Sequence, residues 1–289
     1  MLLAILLSTA EATELSTTFP TDEPVHYRVQ MGLKTGTFIQ IHAREDLDAF
    51  LGDVTMLLLM SCTGAEPTKR DQQVDCAVER AMLSGHGKGR EQAEIDAILE
   101  EYAGYLQGAT IQLVVTTSGR FKSVDVEGIP KDSKETADAQ EFLRDLVARG
   151  VGPLDIEMPK GGVDPGGSWK QKSSAGVRHP GGAATGTVKI ETTVKGADGD
   201  LVVFEQDGDG LLETLDSANR GLNQKVVVHL EGTASYDSER HIITGAEQRV
   251  VGEYTASAER SALVIDQLAQ VDRQESLEPL IEEFDAALK

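Results

Sequence analysis

Residues Met158–Lys170 read MPKGGVDPGGSWK, and the reading of this stretch decides the fold. Glycines and prolines crowd ahead of Trp169, the single tryptophan of the chain. Both residue types fit poorly inside a helix or strand. The wider run Val151–Gly182, which also holds Pro153 and Pro180, therefore reads as a crossover between two folded units. On that reading Trp169 is the first large structural anchor of the second unit.

The sequence on either side supports two similar halves. In the first, Tyr27, Val29, Met31 and Leu33 alternate with polar residues, the period of a half-buried strand. Phe38 to Arg44 and Thr55 to Thr63 continue as strands, and Ala77 to Leu83 reads as a fourth. From Arg90 to Gln107 the period changes: Ile95, Ile98, Leu99, Tyr102 and Leu106 share one helical face, and Gly108 stops it. A hairpin follows around Ser118-Gly119. A second helix spans Asp132 to Arg149, with Ala139, Phe142, Leu143 and Leu146 on one face.

Beyond the crossover, Val188, Ile190, Thr192 and Val194 alternate as a strand, and Leu201 to Phe204 forms another. Lys225 to Tyr236 and His241 to Tyr254 make a long hairpin around Asp237–Arg240. Ala262 to Val271 reads as a strand, and Leu277, Leu280, Ile281, Phe284 and Leu288 mark a terminal helix. The expected fold class is α+β: two similar halves, each a curved antiparallel sheet covered by an amphipathic helix. The halves are expected at 23–150 and 183–289, joined by 151–182.

The chain carries 48 acidic and 27 basic residues, a formal charge of -21. That field repels nucleic acid, and no Lys/Arg cluster forms a basic face, so no nucleic-acid partner is expected. Met1–Ala12 ends in an A-x-A pattern and reads as the remnant of a signal peptide. No transmembrane helix is expected, because no later run approaches the ~18 apolar residues such a helix requires. Cys62 and Cys76 bracket a polar stretch between apolar runs. In an oxidising compartment they read as a disulfide stapling neighbouring strands; in a reducing one they are two buried thiols. With the N-terminus, the pair points to an exported protein, periplasmic or extracellular.

One motif invites a cofactor. With Glu205 as position one of a Ca²⁺-loop pattern, Asp207 and Asp209 fall at three and five, Gly210 at six and Asp216 at twelve. The competing reading is ordinary Asp-Gly turn chemistry after a strand. No nucleophile elbow or phosphate loop is present, and the six histidines are scattered. No catalytic residues are assigned.

The second half resembles an uncharacterised family of exported bacterial β-rich proteins and lipoproteins. The resemblance rests on a proline-bearing segment leading into Gly166, Gly167 and Trp169, and on a hairpin strand from Gly232 to Asp237. It implies export and no catalysis; the chain departs from it in lacking a lipobox cysteine. Curved sheets covered by helices are similar, in fold alone, to bacterial carriers of lipoproteins and lipids. The expected function is non-catalytic binding of a ligand, a lipophilic one included, or of a protein partner, in a groove between sheet and helix. A secreted hydrolase and a Ca²⁺-stabilised surface or assembly protein are the alternatives.

Overall fold

The computed structural model describes residues 15–34, 53–86, 91–129, 134–161, 163–179, 182–214, 225–256 and 260–287. The Met1–Ala12 segment, the expected strand Phe38–Arg44 and Asp216 lie outside them. The first part of the chain forms strands β1 (Val25–Lys34), β2 (Val54–Gly64) and β3 (Asp71–Gly85), helix α1 (Gln92–Leu106), strands β4 (Thr110–Thr116) and β5 (Phe121–Glu127), and helix α2 (Lys134–Val151). A 3-10 turn at Gly152–Leu154 ends α2. There follow β6 (Ser168–His179), β7 (Gly182–Asp198), β8 (Leu201–Thr214), β9 (Lys225–Asp237), β10 (Ile242–Ala256), β11 (Arg260–Gln274) and helix α3 (Glu278–Ala287).

Among the described residues, eleven strands form one antiparallel sheet, ordered β5-β4-β3-β2-β1-β11-β10-β9-β8-β7-β6. This overturns the α+β expectation of two sheet-and-helix halves: the protein is β-rich and built on one sheet. The join is the ladder between β1 and β11, running from His26 opposite Gln274 to Lys34 opposite Asp266. Nor does each half carry its own covering helix. Helix α1 packs on β3, and α2 packs against β5, β1 and β11. Helix α3 returns to β3, where Arg80 grips Asp285 through Nε (2.7 Å) and Nη2 (2.9 Å).

Alternation shows which residues of a strand are buried, but not which strand lies beside it. Val25, Tyr27, Val29 and Met31 of β1 all point into the core, and nothing in that pattern indicates that β11 is a neighbour. The crossover run also holds a strand that its sequence does not announce. From Ser168 it is a strand, but one at the sheet edge, and Lys170, Lys172 and Ser174 leave it without an apolar stripe. Charged side chains on edge strands also discourage unwanted pairing.

The concave side of the sheet is filled by α2, whose Leu143, Leu146, Val147 and Val151 are buried. Gly150 lets the helix sit low: a Cβ there would lie 2.5 Å from Met56 Cε and 3.2 Å from Val29 Cγ1. The segment before β1 is pinned at the far side. Leu15, Thr17 and Phe19 are buried, and Tyr236 donates its hydroxyl to the Ser16 carbonyl. His241 Nδ1 lies 3.1 Å from that hydroxyl and 3.3 Å from Ser16 Oγ.

Cys62 and Cys76 face one another across β2 and β3 and are joined by a disulfide. Reducing it is expected to lower the unfolding free energy by about 3 kcal/mol, the loop-closure value for a link of this length. Urea unfolding with and without reductant measures the difference; equal midpoints would assign the bond no stabilising role.

Candidate functional site

Eleven is an odd number of antiparallel strands, so the two edge strands β5 and β6 run in the same direction. The sheet curls until these edges approach, yet among the described residues β5 and β6 are not hydrogen-bonded to each other as a ladder. The result is a seam. At one end it is closed by the extended stretch Asp155–Met158, which lies between the edges. Met158 N–H donates to the Ser118 carbonyl, and the Phe121 N–H donates to Asp155 Oδ1 at 2.8 Å. On the β6 side, Gln171 accepts from Glu157 N–H (2.8 Å) and donates to the Asp155 carbonyl (3.2 Å). Gly119 makes this approach feasible: its φ is +91°, and a Cβ would stand 2.4 Å from the Ile156 carbonyl oxygen.

Arg120 spans the whole closure. Its Nε donates to Asp155 Oδ1 at 2.9 Å, and its Nη1 donates to the Lys172 carbonyl of β6 at 2.6 Å. Burial pushes the Asp155 carboxyl above the usual carboxylate range, against the opposing pull of Arg120 and the Phe121 N–H.

Trp169, the expected anchor, sits half-buried at the start of β6. Its indole N–H donates to the Glu157 carbonyl, and its ring meets Phe204 edge-on at 5.5 Å between centroids. Phe204 in turn packs against Tyr236 at 6.0 Å. Trp169→Ala is expected to cost about 2–3 kcal/mol, less than for a fully buried tryptophan. A thermal melt measures it, and an unchanged Tm would deny Trp169 the role of an anchor.

Beyond Asp155 a pocket opens between α2 and the concave face of β7–β11. Two rows of the sheet floor it. Ile190, Gly208, Leu230 and Val250 stand opposite one another on β7 to β10, and so do Val188, Gly210 and Val228 on β7 to β9. The glycines of β8 lie under branched neighbours: a Cβ at Gly208 would meet Ile190 Cγ1 at 3.0 Å, and one at Gly210 would meet Val188 Cγ2 at 2.8 Å. With Leu212 these side chains line a pocket of about 260 Å³. Its polar rim comes from α2 and β11: Arg149 donates through Nε to Asp145 (2.8 Å) and through Nη1 to Gln267 (3.3 Å).

The same glycines show what the Asp-Gly run is. Asp207-Gly208-Asp209-Gly210 does not turn; it continues as strand β8, with glycines facing in and aspartates facing out. Glu205, Asp207 and Asp209 therefore follow one another at every second residue, about 6.6–6.8 Å apart along a strand. Glu205 pairs with Lys195, and Asp209 lies 3.1 Å from His229. The Asp209 hydrogen bond holds the His229 imidazole above its usual pKa. Among the described residues, no group of three or more His, Cys, Asp or Glu side chains is arranged to hold a metal ion. No described helix is long and apolar enough to cross a membrane.

No protein-family model matches the chain, and no curated protein matches it. Among solved structures, one of lipovitellin concerned with its lipid–protein interactions aligns with a TM-score of 0.44 and 8% identity. The alignment covers 89% of this chain and 25% of that one. A likeness at this level carries no inference about function.

Proposed function

We propose that this chain is an exported, non-catalytic protein that binds a lipophilic ligand between α2 and the concave face of β7–β10. The observation that carries this is the pocket floored by Val188, Ile190, Leu212, Val228, Leu230 and Val250. Its volume of about 260 Å³ is near the lower end of small-molecule sites, which begin at roughly 300 Å³. An apolar floor ringed by polar groups suits a ligand with a greasy portion seated on the sheet. The Cys62–Cys76 disulfide supports export, because such bonds persist in oxidising compartments.

The test is a titration with N-phenyl-1-naphthylamine, a neutral dye that brightens in apolar surroundings. Saturable brightening is expected, and Val228→Trp, which fills the pocket floor, is expected to weaken it at least about tenfold, the equivalent of 1.4 kcal/mol. No brightening with the native protein would overturn the reading. Unaltered brightening in the tryptophan variant would move the site elsewhere.

A further inference from the structure

We infer that the apolar pocket is the inner end of a longer site for a single-chain amphiphile with an anionic head, entered through the β5–β6 seam. The inference rests on the lipophilic-ligand reading above. A second chamber of about 430 Å³ lies in the seam, bounded by Lys122 and Ser123 of β5, Ser174 of β6, and Glu141 and Arg144 of α2. It shares Asp145, Ala148, Gly152, Asp155 and Ser174 with the apolar pocket, so the two are contiguous. The inner pocket is floored by branched aliphatic side chains of the sheet, with polar groups of α2, β6, β10 and β11 around them, whereas the outer lining is largely polar and charged. That gradient matches a molecule with one apolar end and one polar end. The inner volume has room for one chain rather than two.

The charge of the head follows from which groups are already engaged. Asp145 is held by Arg149, Asp155 by Arg120, and Lys122 by Asp71. Glu141 is engaged as well. Among the described residues bordering the chamber, Arg144 is the charged side chain that takes no partner. A guanidinium presents forked N–H donors suited to a carboxylate or a phosphate. The net charge of -21 opposes an anion at long range, but at physiological salt the field is screened over about 8 Å. A head beside Arg144 is governed by that near cation. The seam provides the route because β5 and β6 form no ladder with each other and the outer chamber lies between them.

Competition against N-phenyl-1-naphthylamine tests this with four probes: dodecanoate, dodecyl phosphate, dodecyltrimethylammonium and inorganic phosphate. Both anionic amphiphiles are expected to displace the dye at lower concentrations than the cationic one. Inorganic phosphate is expected not to displace it, since the chain supplies the binding. Arg144→Gln should weaken dodecanoate about threefold to fivefold, the range of an exposed ion pair, and leave dodecyltrimethylammonium no weaker. Arg144→Lys should restore most of the loss. For the route, Ser123→Cys/Ser174→Cys bridged by a bis-maleimide should slow dye uptake at least tenfold relative to the unbridged variant. The native cysteines are already joined and do not react.

Absence of dye binding would remove the lipophilic-ligand reading itself. Dye binding with no preference between head groups, or with the preference intact in Arg144→Gln, would overturn the inference alone. Displacement by inorganic phosphate would reduce it to an anion site, and unchanged uptake in the bridged variant would place the entrance elsewhere.

Discussion

Arg120→Ala is expected to lower the unfolding free energy by about 3–5 kcal/mol near neutral pH, the range for removing one partner of a largely buried ion pair. The loss is large because one guanidinium serves three parts of the chain. It neutralises Asp155, bridges the β4–β5 turn to β6 through the Lys172 carbonyl, and holds the Asp155–Met158 stretch in the seam. The deficit also depends on pH with a definite sign. Burial already raises the Asp155 carboxyl above its unfolded value, and loss of Arg120 removes a lowering influence and raises it further. Between the unfolded and folded values the folded protein binds more protons than the unfolded one. Stability therefore falls as pH rises through that window. The variant should be closest to wild type in mild acid and furthest from it near neutrality. Urea unfolding at two pH values on either side of the window checks this, and a deficit independent of pH would show that Asp155 is not the group left exposed to the loss.

Phe204→Ala is the second large effect, at about 3–5 kcal/mol, the usual cost of truncating a fully buried aromatic residue. Phe204 has no exposed surface and links two rings, Trp169 on β6 and Tyr236 on β9. Tyr236 continues the chain of contacts to Ser16 and His241. Because Trp169 and Phe204 touch, their alanine variants should not add: the double variant should cost less than the two single costs combined. Additive costs would show that the edge-on ring contact contributes little.

Much of the local structure is legible in the sequence. The alternation of Val188, Ile190, Thr192 and Val194 marks a strand, and the spacing of Ala139, Leu143 and Leu146 marks α2. The Cys62–Cys76 bond follows from two cysteines on neighbouring apolar runs. What alternation does not encode is which strands pair. The late hairpin and terminal helix read as a second copy of the first half, whereas β11 inserts beside β1 and α3 crosses back to β3. The Asp207–Gly210 run read as a turn because glycine and aspartate favour turns. Here those glycines lie beneath Ile190 and Val188, which is a fact about β7 and not about β8. The pocket was similarly hidden. Val228 and Leu230 alternate as one face of a strand, but only the packed structure shows that they line a pocket beside α2. Arg120, Asp155 and Arg144 carried no sequence signal, since each takes its role from segments far away in the chain.

The position of β11 bears on how the molecule is made. It is the last of the eleven strands to be synthesised, yet it occupies a central slot between β1 and β10. A nascent chain that has already formed its other strand pairs still holds two facing, unsatisfied edges in the middle of its sheet. Those edges wait on a segment that is made after every other strand of the sheet. The final closure is then a long-range event, slow relative to the local hairpins. During that interval, β1 and β10 are the surfaces most open to pairing with the wrong chain.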